Sequence, residues 1–183
     1  MSHSNNKLKK SLDARANNLY NRIIQSQLAT PEQIKGCSEQ EIKKLEQTYN
    51  LTLPYSYKVF LQHFGHGFAP IGNEFHYLYQ EALSFTQDER NLEQEIRNEK
   101  DFNPEELLPE NAFIFAMRYD MQIWYFIASE GVEDPIVFYD TGDGDSEKMY
   151  ESVFDFWEER VTSAEQLLAR RKEEIRQRKK NNS

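Results

Sequence analysis

The 183-residue chain predicts an α+β fold, with helices at both ends and an antiparallel sheet of about four to six strands between them. Three observations carry this. Apolar residues recur at helical spacing up to residue 64 and again from residue 153. Between those segments, AFIFAMR (112–118), QIWYFIA (122–128) and PIVFYD (135–140) are short runs of β-branched and aromatic residues set apart by polar turns. Leu, Ile, Val and Phe make up 43 of the 183 residues, above the roughly 20% below which chains cannot form a core. A mean hydropathy of −0.83 then describes a folded domain with a very polar surface, its core rich in rings because aromatics are 13% of the chain. The length predicts one domain burying ~70% of its unfolded surface.

In order along the chain, Leu8, Leu12, Leu19, Ile23 and Ile24 form one stripe of an amphipathic helix over about 8–28, read as an extension (1–30) docked on the body. Pro31, Gly36 and Cys37 break it. Ser38 with Glu41 then forms a capping box that starts a second helix, whose apolar face is Ile42, Leu45 and Tyr49. Pro54 suits the first turn of a third helix, with Tyr57, Phe60, Leu61 and Phe64 at i, i+3, i+4 and i+7 and Gly65 and Gly67 ending it.

Alternation at Phe75, Tyr77 and Tyr79 predicts a strand near 75–79. Residues 86–100 hold only Leu92 and Ile96 as apolar groups and read as a solvated surface helix. Asn103-Pro104 with the following EELL predicts a capped helical turn closed by Pro109. The three β runs then form an antiparallel meander. After the acidic turn TGDGDSEK (141–148), Val153, Phe154, Phe156, Trp157 and Val161 make a buried helical face that completes the body (31–162). Ser163 with Gln166 reads as another capping box, opening a basic C-terminal helix and tail (163–183) that projects into solvent.

The net charge of −9 is segregated. Residues 1–30 and 163–183 each carry +4, while 31–162 hold 10 basic and 27 acidic residues, a net of −17. Nucleic-acid affinity comes from cations displacing counterions, so the body disfavours DNA and favours a basic protein partner. The plain alternative is acidity for solubility alone. The tail RRKEEIRQRKK (170–180) leaves open a nucleic-acid patch, against the alternative of a charged helix end. The longest apolar run, 112–117, is far below the ~20 residues of a membrane span, and no apolar stretch follows the first lysines. With a single Cys37 and no internal disulfide, a reducing cytoplasm is the expected location.

Catalytic and metal motifs are missing from the pattern. DTGDGDSE (140–147) fails the spacing of a calcium loop, whose position six must be glycine but is Asp145 counted from Asp140 and Lys148 counted from Asp143, so it reads as a solvated turn. His63, His66 and His76 have no Cys or His at zinc-site spacing, and Cys37 is isolated in sequence. There is no G-x-S-x-G, phosphate loop or dinucleotide fingerprint. Glu93/Glu95 and Glu105/Glu106 read as ordinary solvated charges. No enzyme, cofactor or metal is expected.

The segment GCSEQEIKKLEQTYNLTLPYSYKVFLQHFGHG (36–67) resembles the opening of the SUKH superfamily, relatives of the fungal cell-wall synthesis regulator and of many bacterial toxin-immunity proteins. Gly36, Ser38, Ile42, Leu45, Glu46, Leu53-Pro54, Tyr57, Phe60, Leu61 and Gly67 carry it. Phe113 to Phe115, Ile123 to Phe126, the run from Pro135 to Phe138, and Ser152 with Phe154 and Trp157 extend it over about 31–160. Two places depart from the family's pattern: His66-Gly67, where paired glycines or Asn-Gly are common, and Tyr119-Asp120-Met121, in place of a glycine-rich hairpin.

The resemblance implies a single non-enzymatic SUKH-like binding domain with helical extensions. It also implies an immunity protein of a polymorphic or contact-dependent toxin system, neutralising a cognate nuclease or other nucleic-acid-modifying toxin. A monomer is preferred. With the acidic body, it makes Glu89, Glu93, Glu95, Asp120, Asp143 and Asp145 the expected partner-facing residues. The alternatives are a regulatory or scaffold protein of the same fold, and nucleic-acid binding through the basic tail.

Overall fold

The computed structural model of the chain describes residues 2–71, 74–96, 107–141 and 146–181. Helices α1 (Ser2–Gln25), α2 (Glu39–Tyr49) and α3 (Tyr55–Phe64) come first. Strand β1 (Phe75–His76) and helices α4 (Tyr79–Ala82) and α5 (Phe85–Ile96) follow. Strands β2 (Ala112–Arg118), β3 (Gln122–Ile127), β4 (Val137–Asp140) and β5 (Ser146–Tyr150) lead into the long α6 (Val153–Asn181). The five strands form one antiparallel meander in the order β1-β2-β3-β4-β5. The α+β architecture, with a helix at each end of a five-stranded sheet, is therefore as expected.

The sheet is covered on both faces. On one, Tyr57, Phe60 and Phe64 of α3 meet Phe113, Phe115, Trp124 and Phe126 of the strands and Phe156 and Trp157 of α6. On the other, Phe85 and Leu108 cover Ala112, Ile114, Ile123 and Tyr125. Alternate side chains of β2 serve alternate faces until a bulge between Ile114 and Ala116 shifts the phase, which is why the sequence neighbours Phe115 and Ala116 both join the main core. Strand β1 covers only Met117 and Arg118 of β2. Beyond it, the Ile114 N–H donates to the buried Thr86 Oγ1 at 3.0 Å, so α5 closes the edge that β1 leaves open.

Helix α1 shares the main core. Leu12, Ala16, Leu19 and Ile23 are buried there, Ala16 supplying the turn that a stripe drawn through large residues misses, while Leu8 stays exposed. Polar contacts hold its other face to α6. The Arg15 guanidinium donates to both Glu158 oxygens at 2.8 and 2.9 Å and to Asp155 at 2.6 Å, and Arg22 donates to Glu165 and Thr162.

The capping box of α2 is present: the Glu41 N–H donates to Ser38 Oγ at 3.3 Å, and the Ser38 N–H donates back to Glu41 Oε2 at 2.8 Å. Gly65 ends α3 in ordinary right-handed geometry. Glycine is required there by closeness, because a Cβ would run into Cys37 Sγ and the Leu61 carbonyl.

Four local expectations are corrected. The strand near 75–79 stops at His76, because the N–H groups of Tyr77 and Leu78 donate to Glu81 Oε2 at 2.7 and 2.8 Å and turn the chain into α4. Residues 146–148, read as the end of an acidic turn, belong with 149 and 150 to the edge strand β5. Its residues are largely exposed, so no apolar alternation marks it. No helix starts at Ser163; α6 runs unbroken from Val153 to Asn181, and its first turn is capped by Ser152, whose Oγ accepts from the Asp155 N–H at 3.0 Å. Helix α1 stops at Gln25 rather than near 28, and Gln27 takes a φ of 63°. The helical turn expected at Asn103-Pro104 lies outside the described residues, as do 97–100 of the solvated helix.

Candidate functional site

Strand β2 carries both segments that present recognition chemistry. At its end the chain reverses through Tyr119 and Asp120, whose φ values are 55° and 56°, and the Met121 N–H donates to the Arg118 carbonyl at 3.3 Å. Two successive positive φ angles define the tight turn that matches strand twist, normally Asn-Gly or Gly-Gly. Here a tyrosine and an aspartate hold it. The turn lifts Tyr119 and Met121 into solvent, 51% and 64% exposed.

Arg118 stiffens the tip. Its guanidinium lies 4.5 Å from the Tyr119 ring centroid and 5.5 Å from that of Phe75, and donates to the Tyr119 hydroxyl at 3.1 Å. Arg160 covers the same Phe75 ring at 5.7 Å. Next to the tip is a groove of about 470 Å³, lined by Leu28, Ile71, Arg118, Leu167, Leu168 and Arg171 among others.

Helix α5, capping the β2 edge, is the acidic element. Asp88 and Glu95 are exposed and Glu89 is half-buried. Arg90 turns its guanidinium onto the carbonyls of Leu108, Pro109 and Glu110, so the only base among the described residues of the helix is directed onto backbone. Glu93 stands one turn after Glu89, and its side chain is outside the described set; Asp143 and Asp145 lie outside the described residues altogether. Asp120 is exposed at the hairpin turn. The fold thus places Glu89, Glu93 and Glu95 on one helix and Asp120 on the turn of the strand beneath it. Tyr119 and Met121 entered the sequence reading only as a departure from the family's hairpin and Arg118 not at all, although an aromatic and a methionine flanking an acid between two strands, where a turn is usually small and polar, was a signal for site residues.

The histidines do not gather. His63 Nδ1 is bonded to the Val59 carbonyl, and His76 faces Glu81. His66 Nε2 lies 2.8 Å from Glu41 Oε1. Cys37, isolated in sequence, is close to both: potential ligand atoms of Cys37, Glu41 and His66 lie within 4.8 Å of one another. Burial, with the Glu41 charge, pushes the Cys37 thiol up to about 12, the opposite of an activated nucleophile.

The unit from the Ser38 cap to the helical face of Trp157 coincides with the span of a family model, that of the SMI1 / KNR4 family (SUKH-1), which matches residues 36–159. The chain belongs to this family. Comparison with the curated proteins gave no match. The SUKH-1 span contains the whole sheet and the Tyr119–Asp120 turn, and leaves outside it α1 and the distal part of α6. Gly36 and Leu53, two of the positions that carried the resemblance, have structural reasons: a Cβ at Gly36 would meet the Gln62 carbonyl, and the Leu53 N–H donates to Glu46 Oε1 at 2.9 Å. None of the described helices is long and apolar enough to cross a membrane.

Proposed function

We propose that this SUKH-1 domain is a non-enzymatic immunity protein that binds and neutralises a cognate toxin, a nuclease or other nucleic-acid-modifying enzyme, in the cytoplasm. The observation that carries the reading is the Tyr119–Asp120 turn, where two residues held at unfavourable backbone angles present Tyr119 and Met121 to solvent on a strand that also supports the acidic α5. Strain of this kind persists where the exposed side chains are used, and Tyr and Met are enriched at the centres of protein interfaces.

The electrostatics support the same partner. A toxin acting on nucleic acid has a basic substrate channel, and the −17 body would steer encounter with it and occlude it. Glu89, Glu93, Glu95 and Asp120, with Asp143 and Asp145, are the proposed acidic contacts; Tyr119 and Met121 are the proposed anchors.

The test is co-expression with the product of the adjacent open reading frame, followed by pull-down and a growth assay. Rescue with a stable complex is expected. Tyr119→Ala is expected to raise the dissociation rate, while Glu95→Lys slows association chiefly at low salt. The absence of both rescue and a complex would overturn the immunity reading in favour of a regulatory scaffold of the same fold. DNA affinity that falls steeply with salt and vanishes on deleting residues 170–183 would instead mark the tail as the working element.

A further inference from the structure

We infer that Cys37, Glu41 and His66 form a zinc site that clips the start of α2 to the end of α3. Three donors of different chemistry, from segments separated in sequence, converge here, and each is oriented by contacts of its own. Glu41 is held by the Ser38 cap, which engages Oε2 and leaves Oε1 directed at His66 Nε2, 2.8 Å away. His66 is held by its backbone, whose N–H donates to the Lys35 carbonyl at 2.8 Å, and by its ring, edge-on to Tyr79 at 5.4 Å. Cys37 is anchored by its N–H, which donates to the Leu61 carbonyl at 2.8 Å, and its sulfur is seated over Gly65. The bridge between Lys35 and Gly67 keeps the two segments side by side.

The geometry suits a tetrahedral ion. Bonds of ~2.0–2.3 Å place ligand atoms roughly 3.3–3.8 Å apart. The present atoms lie within 4.8 Å, and the closest pair at 2.8 Å, so shifts of about an ångström or less, within ordinary side-chain adjustment, bring all three onto one centre. The charges also suit: a thiolate and a carboxylate cancel the two positive charges of the ion, and neutral His66 adds a nitrogen. Sulfur with imidazole and carboxylate favours zinc over magnesium or calcium. Binding exchanges the thiol proton for the metal: the S–H bond breaks, a Zn–S bond forms, and one proton leaves to solvent, while the Nε2–H of neutral His66 that faces Glu41 moves through solvent to Nδ1 and frees the Nε2 lone pair for the ion. Glu41 and His66 are each about one-third exposed, 35% and 30%, whereas Cys37 is buried. The fourth position therefore opens outward and takes a water.

The test uses metal-free protein titrated with Co²⁺ and then Zn²⁺. One equivalent of cobalt is expected, with tetrahedral visible bands and a thiolate-to-cobalt charge-transfer band, displaced by zinc; zinc should also raise the melting temperature. Cys37→Ser is expected to abolish the charge-transfer band and weaken binding by ~100-fold or more, and His66→Gln to keep that band while weakening binding by ~10-fold or more. His76→Gln should leave binding unchanged. Should C37S not fold, His66→Gln, at a partly exposed position outside the core, carries the test. Cobalt bound without a thiolate band, H66Q binding as tightly as the parent chain, or no binding at ~100 μM metal would each overturn the assignment.

Discussion

The rings of Phe60 and Trp157 lie face to face, 3.9 Å between centroids and 2° from parallel. This stack ties α3 to α6, joining the opening helical unit of the domain to its closing helix. Both residues are fully buried, and Phe68, Tyr77, Phe115 and Phe156 pack edge-on or tilted around the indole. Trp157→Ala is expected to cost about 3–5 kcal/mol in a urea melt. Trp157→Phe should cost clearly less, because the indole N–H has no hydrogen-bond partner to lose. Equal losses in the two variants would show that the cavity is not what matters.

Helix α1 is clamped to α6 through Arg15, whose guanidinium is held in its charged form first by the hydrogen bonds it donates to Glu158, against the opposing effect of burial. The acids it meets are partly exposed, 41% at Asp155 and 37% at Glu158, so screening reduces the worth of the pairs. Arg15→Ala is expected to lower stability by about 1 kcal/mol at low ionic strength and by less at high salt. Hydrogen exchange should show faster opening of α1 before the sheet. A loss independent of salt would assign the effect to packing of the arginine stem.

The Tyr119–Asp120 turn carries a cost that glycine would relieve. Asp120→Gly is expected to raise folding stability by about 0.5 kcal/mol, since glycine adopts positive φ freely but adds chain entropy to the unfolded state. The same variant is expected to weaken the proposed toxin complex, and calorimetry with a binding assay on one preparation reads both. Stability gained with binding intact would remove Asp120 from the interface.

Glu133 anchors the N-terminal end of α1 by accepting from Lys9 at 2.9 Å and Asn5 at 3.1 Å. Burial pushes its carboxyl up, but the hydrogen bonds from Lys9 and Asn5 and the Lys9 charge outweigh this, leaving it below the usual carboxylate range. A folded value below the unfolded one of about 4.3 stabilises the fold at higher pH, and that contribution fades as pH falls through the folded value. Glu133→Gln should therefore be less stable than the parent chain at neutral pH, the gap closing below about pH 4. Urea melts across that range check it, and a gap constant with pH would contradict it.

Local chemistry was the legible part. The Ser38 and Glu41 pair named the start of α2 because both partners of a capping box lie within one turn. The runs at 112–118, 122–128 and 135–140 named three strands because β-branched and aromatic residues at short spacing suit a pleated, buried surface. Strand β5 escaped notice because an edge strand has no apolar face to announce it, and the end of β1 because Glu81 captures two N–H groups from four and three residues away, a competition that periodicity does not register. Of the candidate site, acidity was visible in composition. The exposed Tyr119 and Met121 were not, since turn residues are placed by the strands that flank them.

By itself, then, the sequence determined the α+β class with most of its helices and strands, the acidic body between two basic ends and the family to which the chain belongs, because spacing, capping and charge act over a few residues or sum over many. Only the tertiary structure decided that α1 lies within the core, that one strand supports both the hairpin tip and the acidic helix, and that Cys37 meets Glu41 and His66. Those relationships join residues far apart in the chain. They exist only after the sheet and helices have packed, when the burial of apolar surface fixes which polar groups end up side by side.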